Sequence, residues 1–209
     1  MPTRDAKPAT NQTAPRLPGR PPQPGLAAAV HRAVLELLAA GGYAALSMDA
    51  VAARAQVARL TLYRRWQSKP RLVTAAVVDA LGSAPAPDTG CTRSDLLAGV
   101  RTLSTAFAKG LGPVLPGLVA ALAADPALAR SFREQVLIPR RASMAAALRR
   151  GIERGELARD LDVELALDLL AAPLYYRTLF GHARVTSRTA AEVVDAVLAA
   201  FTPRPASSS

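Results

Sequence analysis

From residue 26 onward apolar residues recur three and four positions apart, β-branched residues rarely alternate with polar ones, and Pro or Gly interrupts the pattern at helix-length intervals. The pattern predicts an all-α chain. Val30, Val34 and the Leu37-Leu38 pair fall on one face of a helix over 26–40, and Gly41-Gly42 supplies its stop. Ser47 is placed to cap a short helix over 48–55, with Asp49 near the positive end of the helix dipole and Val51 and Ala52 facing inward. A turn at Gln56-Val57 leads to a third short helix over 58–66, on which Leu62 and Trp66, one turn apart, mark the buried side. Ser68 then caps a fourth helix carrying Leu72, Val73, Ala76, Val77 and Leu81, with Pro70 tolerated in its first turn.

The stretch 82–90, with Pro85 and Pro87, reads as a linker. Helical periodicity resumes over 94–111, 114–124, 126–154 with an interruption at Pro139, 163–180 and 189–201. Asp125-Pro126 is a strong start signal, a capping side chain followed by proline at the first helical position. Within 163–180, Leu165, Leu169 and Ala172 mark one stripe and Leu167, Leu170 and Leu174 another. A helix apolar on two sides wants two partners: one can be its own core and the other a symmetry-related chain, the alternative being burial entirely within one subunit. Val193, Val194, Val197 and Leu198 give the last helix a similar apolar side.

Half of the 209 residues are apolar, ample for a packed core. The net charge of +10 is unevenly spread: residues 1–81 hold 11 Lys/Arg against 4 Asp/Glu, and residues 82–209 hold 15 against 12. A basic first part suits a partner that presents phosphates, although solubility or an anionic membrane surface explains charge alone equally well. Cys91 is the sole cysteine, which excludes an intramolecular disulfide or a cysteine-rich zinc site and makes the reducing cytoplasm the expected setting. The longest uncharged stretch, 110–124, is shorter than a bilayer span and carries Pro113 and Pro116, so no membrane partner is expected. Residues 1–25 read as a disordered, Pro-rich basic arm with Arg4, Lys7, Arg16 and Arg20 and no signal-peptide core, and 204–209 as a tail.

No nucleophile elbow, phosphate-binding glycine loop or histidine metal motif appears, and His31 is placed on the exposed side of the first helix and His182 at the end of a long one. Neither an enzyme nor a metal or cofactor is expected. A basic helical adaptor for proteins or membranes accounts for charge and amphipathicity, but not for the ordered short helices of 46–69. Two short helices joined by a tight turn, the second bearing Arg59, Thr61, Tyr63 and Arg64, have the parts of a helix-turn-helix that enters a major groove. Arginine reads a guanine edge with two hydrogen bonds, while hydroxyls, lysine and helix N-termini hold phosphates and set register.

Gly42-Tyr43, Ser47-Met48, Val51-Ala52, Val57, Thr61-Leu62-Tyr63, Trp66, Ser68-Lys69 and Leu72 stand at fixed spacings, and this segment resembles the DNA-binding domain of TetR-family transcriptional regulators. The resemblance implies a three-helix helix-turn-helix domain over 26–70 and a helical ligand-binding and dimerisation domain over 71–203. It also implies a homodimer on palindromic double-stranded operator DNA, repression as the default, and release by a small-molecule effector. By the same resemblance Arg59 and Thr61 contact bases or nearby phosphates, Tyr63 and Lys69 contact phosphates, and Ser47 marks a helix start that meets the backbone. Arg64 and Arg65 are additional contacts, and the arm at Gly19-Arg20-Pro21 reaches the minor groove through Arg20.

Three positions depart from the family pattern: Gln56 replaces the usual turn glycine, Ala58 a frequent serine cap, and Leu60 a small residue or proline. A missing cap costs about 1 kcal/mol, so the recognition helix is expected to fray when free, and Leu60 offers an apolar contact to a thymine methyl. Further along, 149–157, 160–162 and 173–177 resemble one regulatory-domain type of the family, whose last two long helices form a four-helix bundle with those of a second subunit. The family also implies a pocket among the middle helices. Its candidate lining is Phe107, Leu111, Leu118, Leu122, Phe132, Met144, Leu148 and Tyr176, each equally at home in an ordinary core. Tyr175, Tyr176 and Arg177 serve either polar ligand recognition or the dimer contact, and Pro113 and Pro116 either permit an induced shift or are merely structural.

Overall fold

The computed structural model describes residues 25–83 and 87–203, and every regular element within them is helical. The order is α1 (Leu26–Ala45), α2 (Met48–Ala55), α3 (Arg59–Trp66), α4 (Lys69–Leu81), α5 (Thr92–Ala106), α6 (Gly112–Ala124), α7 (Pro126–Phe132), α8 (Ile138–Glu153), α9 (Val163–Phe180) and α10 (Ser187–Phe201). The expected basic arm with Arg20, and the tail over 204–209, lie outside the described residues.

Local capping explains where the early helices begin. Ser47 Oγ accepts from the Ala50 N–H at 3.1 Å and starts α2, and Ser68 Oγ accepts from the Arg71 N–H to start α4, with Pro70 in its first turn. α1 continues to Ala45 instead of stopping at Gly41, but its backbone leaves the helix at Gly42 (φ 68°, ψ −175°), a conformation glycine adopts without a Cβ clash. α4 spans residue 70, so the anticipated boundary between the two domains falls inside a continuous helix.

The expected exposure of His31 is wrong. Its side chain is only 12% accessible, its ring meets Trp66 edge-on at 5.6 Å, and Nδ1 lies 3.1 Å from Asp79. Because α2, α4 and α6 all pack on α1, more of that helix is covered than its apolar stripe indicates.

Two long helical segments each pass through one π-helical turn just ahead of a proline. Phe107–Leu111 precedes Pro113, with Gly110 at φ 144°, and Arg133–Leu137 precedes Pro139. Proline cannot donate to the carbonyl four residues back and its ring crowds that carbonyl, so the wider turn relieves the clash. The interruption expected at Pro139 therefore sits upstream, and Pro139 itself lies in the first turn of α8. The run Thr92–Ala124 has the length and hydropathy of a membrane span, but it bends at Gly110 and packs against α1, α8 and α10.

α5 starts at Thr92, two residues before the expected position, because Glu156 Oε2 accepts the Thr92 N–H at 2.9 Å from 64 positions away. α7 begins where Asp125 Oδ1 accepts the Ala127 and Leu128 N–H groups. α10 likewise starts early, at Ser187, because Thr186 and Thr189 form a reciprocal capping box.

The last two helices use their apolar residues differently. Val193, Val194 and Val197, with the half-buried Leu198, form the apolar side of α10 read from the sequence, and it is covered within the chain where α10 packs on α5 and α9. On α9, Leu167, Leu170 and Leu174 are buried, while Leu165 and Leu169 remain 48% and 39% exposed on the opposite side.

Candidate nucleic-acid interface and inner cavity

α3 is held by two side chains and displays the rest. Leu62 and Trp66 are buried in the core shared with α1 and α4, and burying a side chain of this size contributes about 1.5–3 kcal/mol. Arg59, Tyr63, Arg64 and Arg65 point outward, Leu60 is 70% exposed, and Thr61 is half-buried beside them. The family departures have visible structural consequences. Gln56 takes the left-handed conformation (φ 55°, ψ 43°) that the turn needs, donating its N–H to the Ala52 and Ala53 carbonyls, at a steric cost glycine avoids. Ala58 starts α3 without a side-chain cap; the Thr61 N–H turns back to the Ala58 carbonyl at 2.9 Å, and no capping side chain accepts from the first turn.

Arg59 is ordered before it meets any partner. Its Nε lies 2.8 Å from Asp49 Oδ1, Nη2 donates to the Tyr63 hydroxyl at 3.4 Å, and the guanidinium sits 5.4 Å from the Tyr63 ring centre. The pair with Asp49 is exposed on both sides, so water screens it and it opens readily for a better acceptor. Arg54 on α2 is tied to Glu36 at 2.8 Å.

Lys69, at the start of α4, belongs to a chain that reaches the other half of the molecule. Its ammonium lies 4.0 Å above the Tyr43 ring, and the Tyr43 hydroxyl donates to Asp125 Oδ2 at 2.7 Å. Burial, then the bond to Asp125, pushes the Tyr43 phenol well above its ordinary range, so it stays a donor. The hydrogen bond from Tyr43, followed by the backbone N–H of Leu128, holds the Asp125 carboxyl below its usual range. Burial draws Lys69 somewhat below the ordinary lysine range while Asp125 opposes the shift.

A cavity of about 100 Å³ lies deeper, between α5, α8 and α9, with walls from Leu103, Phe132, Met144, Leu167, Leu170 and Tyr175 and two arginines, Arg140 and Arg141, at its edge. Of the anticipated lining residues, Phe132 and Met144 reach this cavity. Phe107, Leu111 and Leu118 line, with Phe132, an adjoining void of about 10 Å³, too small for an organic ligand. Leu122 and Leu148 line neither, Leu148 being fully buried in the core, and Tyr176 faces outward at 58% exposure. Tyr175, one residue earlier, is the tyrosine turned inward, its ring edge-on to Phe107 at 5.1 Å.

Arg140 and Arg141 escaped the sequence reading. The signal was a charged residue on an otherwise apolar stripe of spacing four, Phe132, Val136, Arg140 and Met144, all of which reach the cavity.

Comparison with known proteins agrees with this geometry. Residues 32–76 match the family described as bacterial regulatory proteins, tetR family, and residues 86–197 match the tetracyclin repressor-like C-terminal domain. The chain is similar to an uncharacterised HTH-type transcriptional regulator, YdeS, of Bacillus subtilis, with 33% identity over 77% of this chain and 82% of that protein. It is also similar to the DNA-binding transcriptional repressor TetR of Mycobacteroides abscessus, with 36% identity over 74% of this chain and 82% of the relative. Among solved structures, the TetR family transcription regulator SCO0332 is 34% identical and superposes with a TM-score of 0.62 over 86% of this chain and all of that one.

Proposed function

This chain belongs to the TetR family of DNA-binding transcriptional regulators, and we propose that it is a repressor that binds a palindromic operator as a homodimer and leaves it when a small molecule fills the inner cavity. The observation that carries the reading is α3 itself, anchored by Leu62 and Trp66 and presenting Arg59, Leu60, Thr61, Tyr63 and Arg64 on its free face. In this reading Arg59 and Thr61 approach base edges, Leu60 meets a thymine methyl, and Tyr63, Arg64 and Lys69 hold phosphates. The N-terminus of α3, which has no side-chain cap, and the Ser47-capped start of α2 add backbone contacts to phosphate oxygens.

The dimer rests on α9. Leu165, Leu169, Tyr176 and Phe180 are 48%, 39%, 58% and 70% exposed at spacings of four, seven and four residues, an apolar stripe against which the His182 ring packs edge-on at Tyr176, 5.0 Å away. A second copy of the same stripe, related by a two-fold axis, covers it and sets two recognition helices about 34–36 Å apart. Such a protein binds at the cytoplasmic chromosome, in keeping with its single exposed cysteine.

The test is fluorescence anisotropy on a duplex from the region upstream of the chain's own gene, over a range of salt concentrations. Specific binding whose logarithm falls linearly with log salt supports the reading; equal affinity for a scrambled duplex refutes operator recognition.

A further inference from the structure

The cavity is apolar over most of its wall, yet its edge holds a cation with no acid. Arg140 donates through Nη1 to Thr102 Oγ1 at 3.0 Å and through Nη2 to the carbonyls of Leu81 and Gly82 at 2.8 and 2.9 Å. All three partners are neutral, and among the described residues no carboxylate pairs with it. Its neighbour Arg141 is matched twice, by Asp168 at 2.5 Å and by Glu164. Burial pulls Arg140 below the ordinary arginine range, although a guanidinium keeps its proton. A half-buried, permanently charged group with only neutral acceptors is favoured by any anion that reaches it, and the planar fork of arginine fits a carboxylate with two parallel bonds.

The size of the space limits the rest of the ligand. A dry apolar cavity of roughly 150 Å³ accepts a benzene ring, so the volume of about 100 Å³ here takes a short aliphatic chain as it stands and a single ring only when a wall side chain moves. Met144 can give way for it: its Sδ occupies the space that a Cβ on Gly99 would take, and an unbranched thioether changes rotamer at little cost.

We propose that this cavity binds a small organic acid, with the carboxylate on Arg140 and the ring or alkyl body between Phe132, Met144, Leu167 and Leu170. The inference rests on the reading of the chain as a ligand-responsive repressor and names the chemical class of its effector. It also supplies a route to the DNA-binding end. The Leu81 and Gly82 carbonyls that Arg140 now holds close α4, the helix whose first residue is Lys69. A carboxylate competes for the same guanidinium and loosens that end of the helix.

Calorimetry on the full chain with phenylacetate and hexanoate, against the uncharged phenylacetamide and hexanamide, tests the assignment. The acids bind more tightly than their amides by about tenfold or more, the worth of one charge-assisted hydrogen-bond pair. In Arg140→Gln this preference disappears while amide affinity is kept, which also reports that the variant is folded. The wild-type ratio alone remains decisive if that variant does not fold. Equal affinities, a preference that survives Arg140→Gln, or no binding of either class at millimolar concentration overturns the proposal. The two layers separate in an operator-release assay. Release by an amide, equal in wild type and Arg140→Gln, keeps the ligand-responsive reading and removes the acid. An acid bound through Arg140 with no effect on DNA keeps the acid site and removes the effector role.

Discussion

α3 and α9 are both helices with one side anchored and one side free, and the chemistry of the free side differs completely. α3 anchors Leu62 and Trp66 and shows arginines, a threonine and a tyrosine; α9 anchors Leu167, Leu170 and Leu174 and shows Leu165, Leu169, Tyr176 and Phe180. A face of charges and hydroxyls is stable in water and gains from a polyanion, whereas a continuous apolar face gains from removal of water by another apolar face. The uncovered side of each helix thus names its partner. α10 teaches the same lesson in reverse, because its valines are apolar but already covered by α5 and α9.

Breaking the α9 side gives the largest effect. Leu169→Asp places an unpaired charge in the two-fold contact, and dimer stability falls by roughly 100-fold or more. Light scattering at micromolar concentration then shows a monomer, and operator affinity drops with it; a dimer that persists removes α9 from the interface. On the α3 side the changes are smaller and of two kinds. Arg59→Ala lowers operator affinity about tenfold and relaxes preference at one base position, while Lys69→Ala weakens every sequence alike and reduces the salt slope by about one. Titrations that show the reverse pattern exchange these roles.

Stability changes at the edges of α3 are smaller still. Gln56→Gly removes the cost of a left-handed non-glycine residue, and Ala58→Ser supplies the missing cap; each stabilises by up to about 1 kcal/mol in urea melts. Unchanged or lower midpoints contradict the strain and the open helix end. The smallest effect is the pH dependence of Asp125, whose carboxyl is held low by Tyr43 and by the first turn of α7. Its contribution is full above the ordinary carboxylate range near ~3.9 and is lost as pH falls through the lowered folded value. Wild type therefore loses more stability than Asp125→Asn between neutral pH and pH 3, and parallel losses dismiss the contribution.

What the sequence revealed was local. The Ser47 and Ser68 caps, the Asp125-Pro126 start and the Leu62/Trp66 anchor each need only residues within four positions, and so they are visible as spacing. What escaped depends on partners far along the chain. Arg140 acts through Thr102, Leu81 and Gly82, which lie 38, 59 and 58 positions away, and the start of α5 is fixed by Glu156. His31 was misplaced because its cover comes from Trp66 and Asp79 on other helices. The two faces of α9 were legible as stripes, but which stripe stayed free was not, since that depends on where α8 and α10 pack.

The most direct test of the account is the stoichiometry of the complex with a palindromic duplex at concentrations far above the dissociation constant, compared with the same duplex carrying one scrambled half-site. The account predicts saturation at an even number of chains per intact site and a large loss of affinity when one half is scrambled, because one dimer grips both halves. Saturation at an odd number of chains per intact site, or unchanged affinity for the half-scrambled duplex, contradicts it, since α3 would then read DNA without the pairing that the free face of α9 provides.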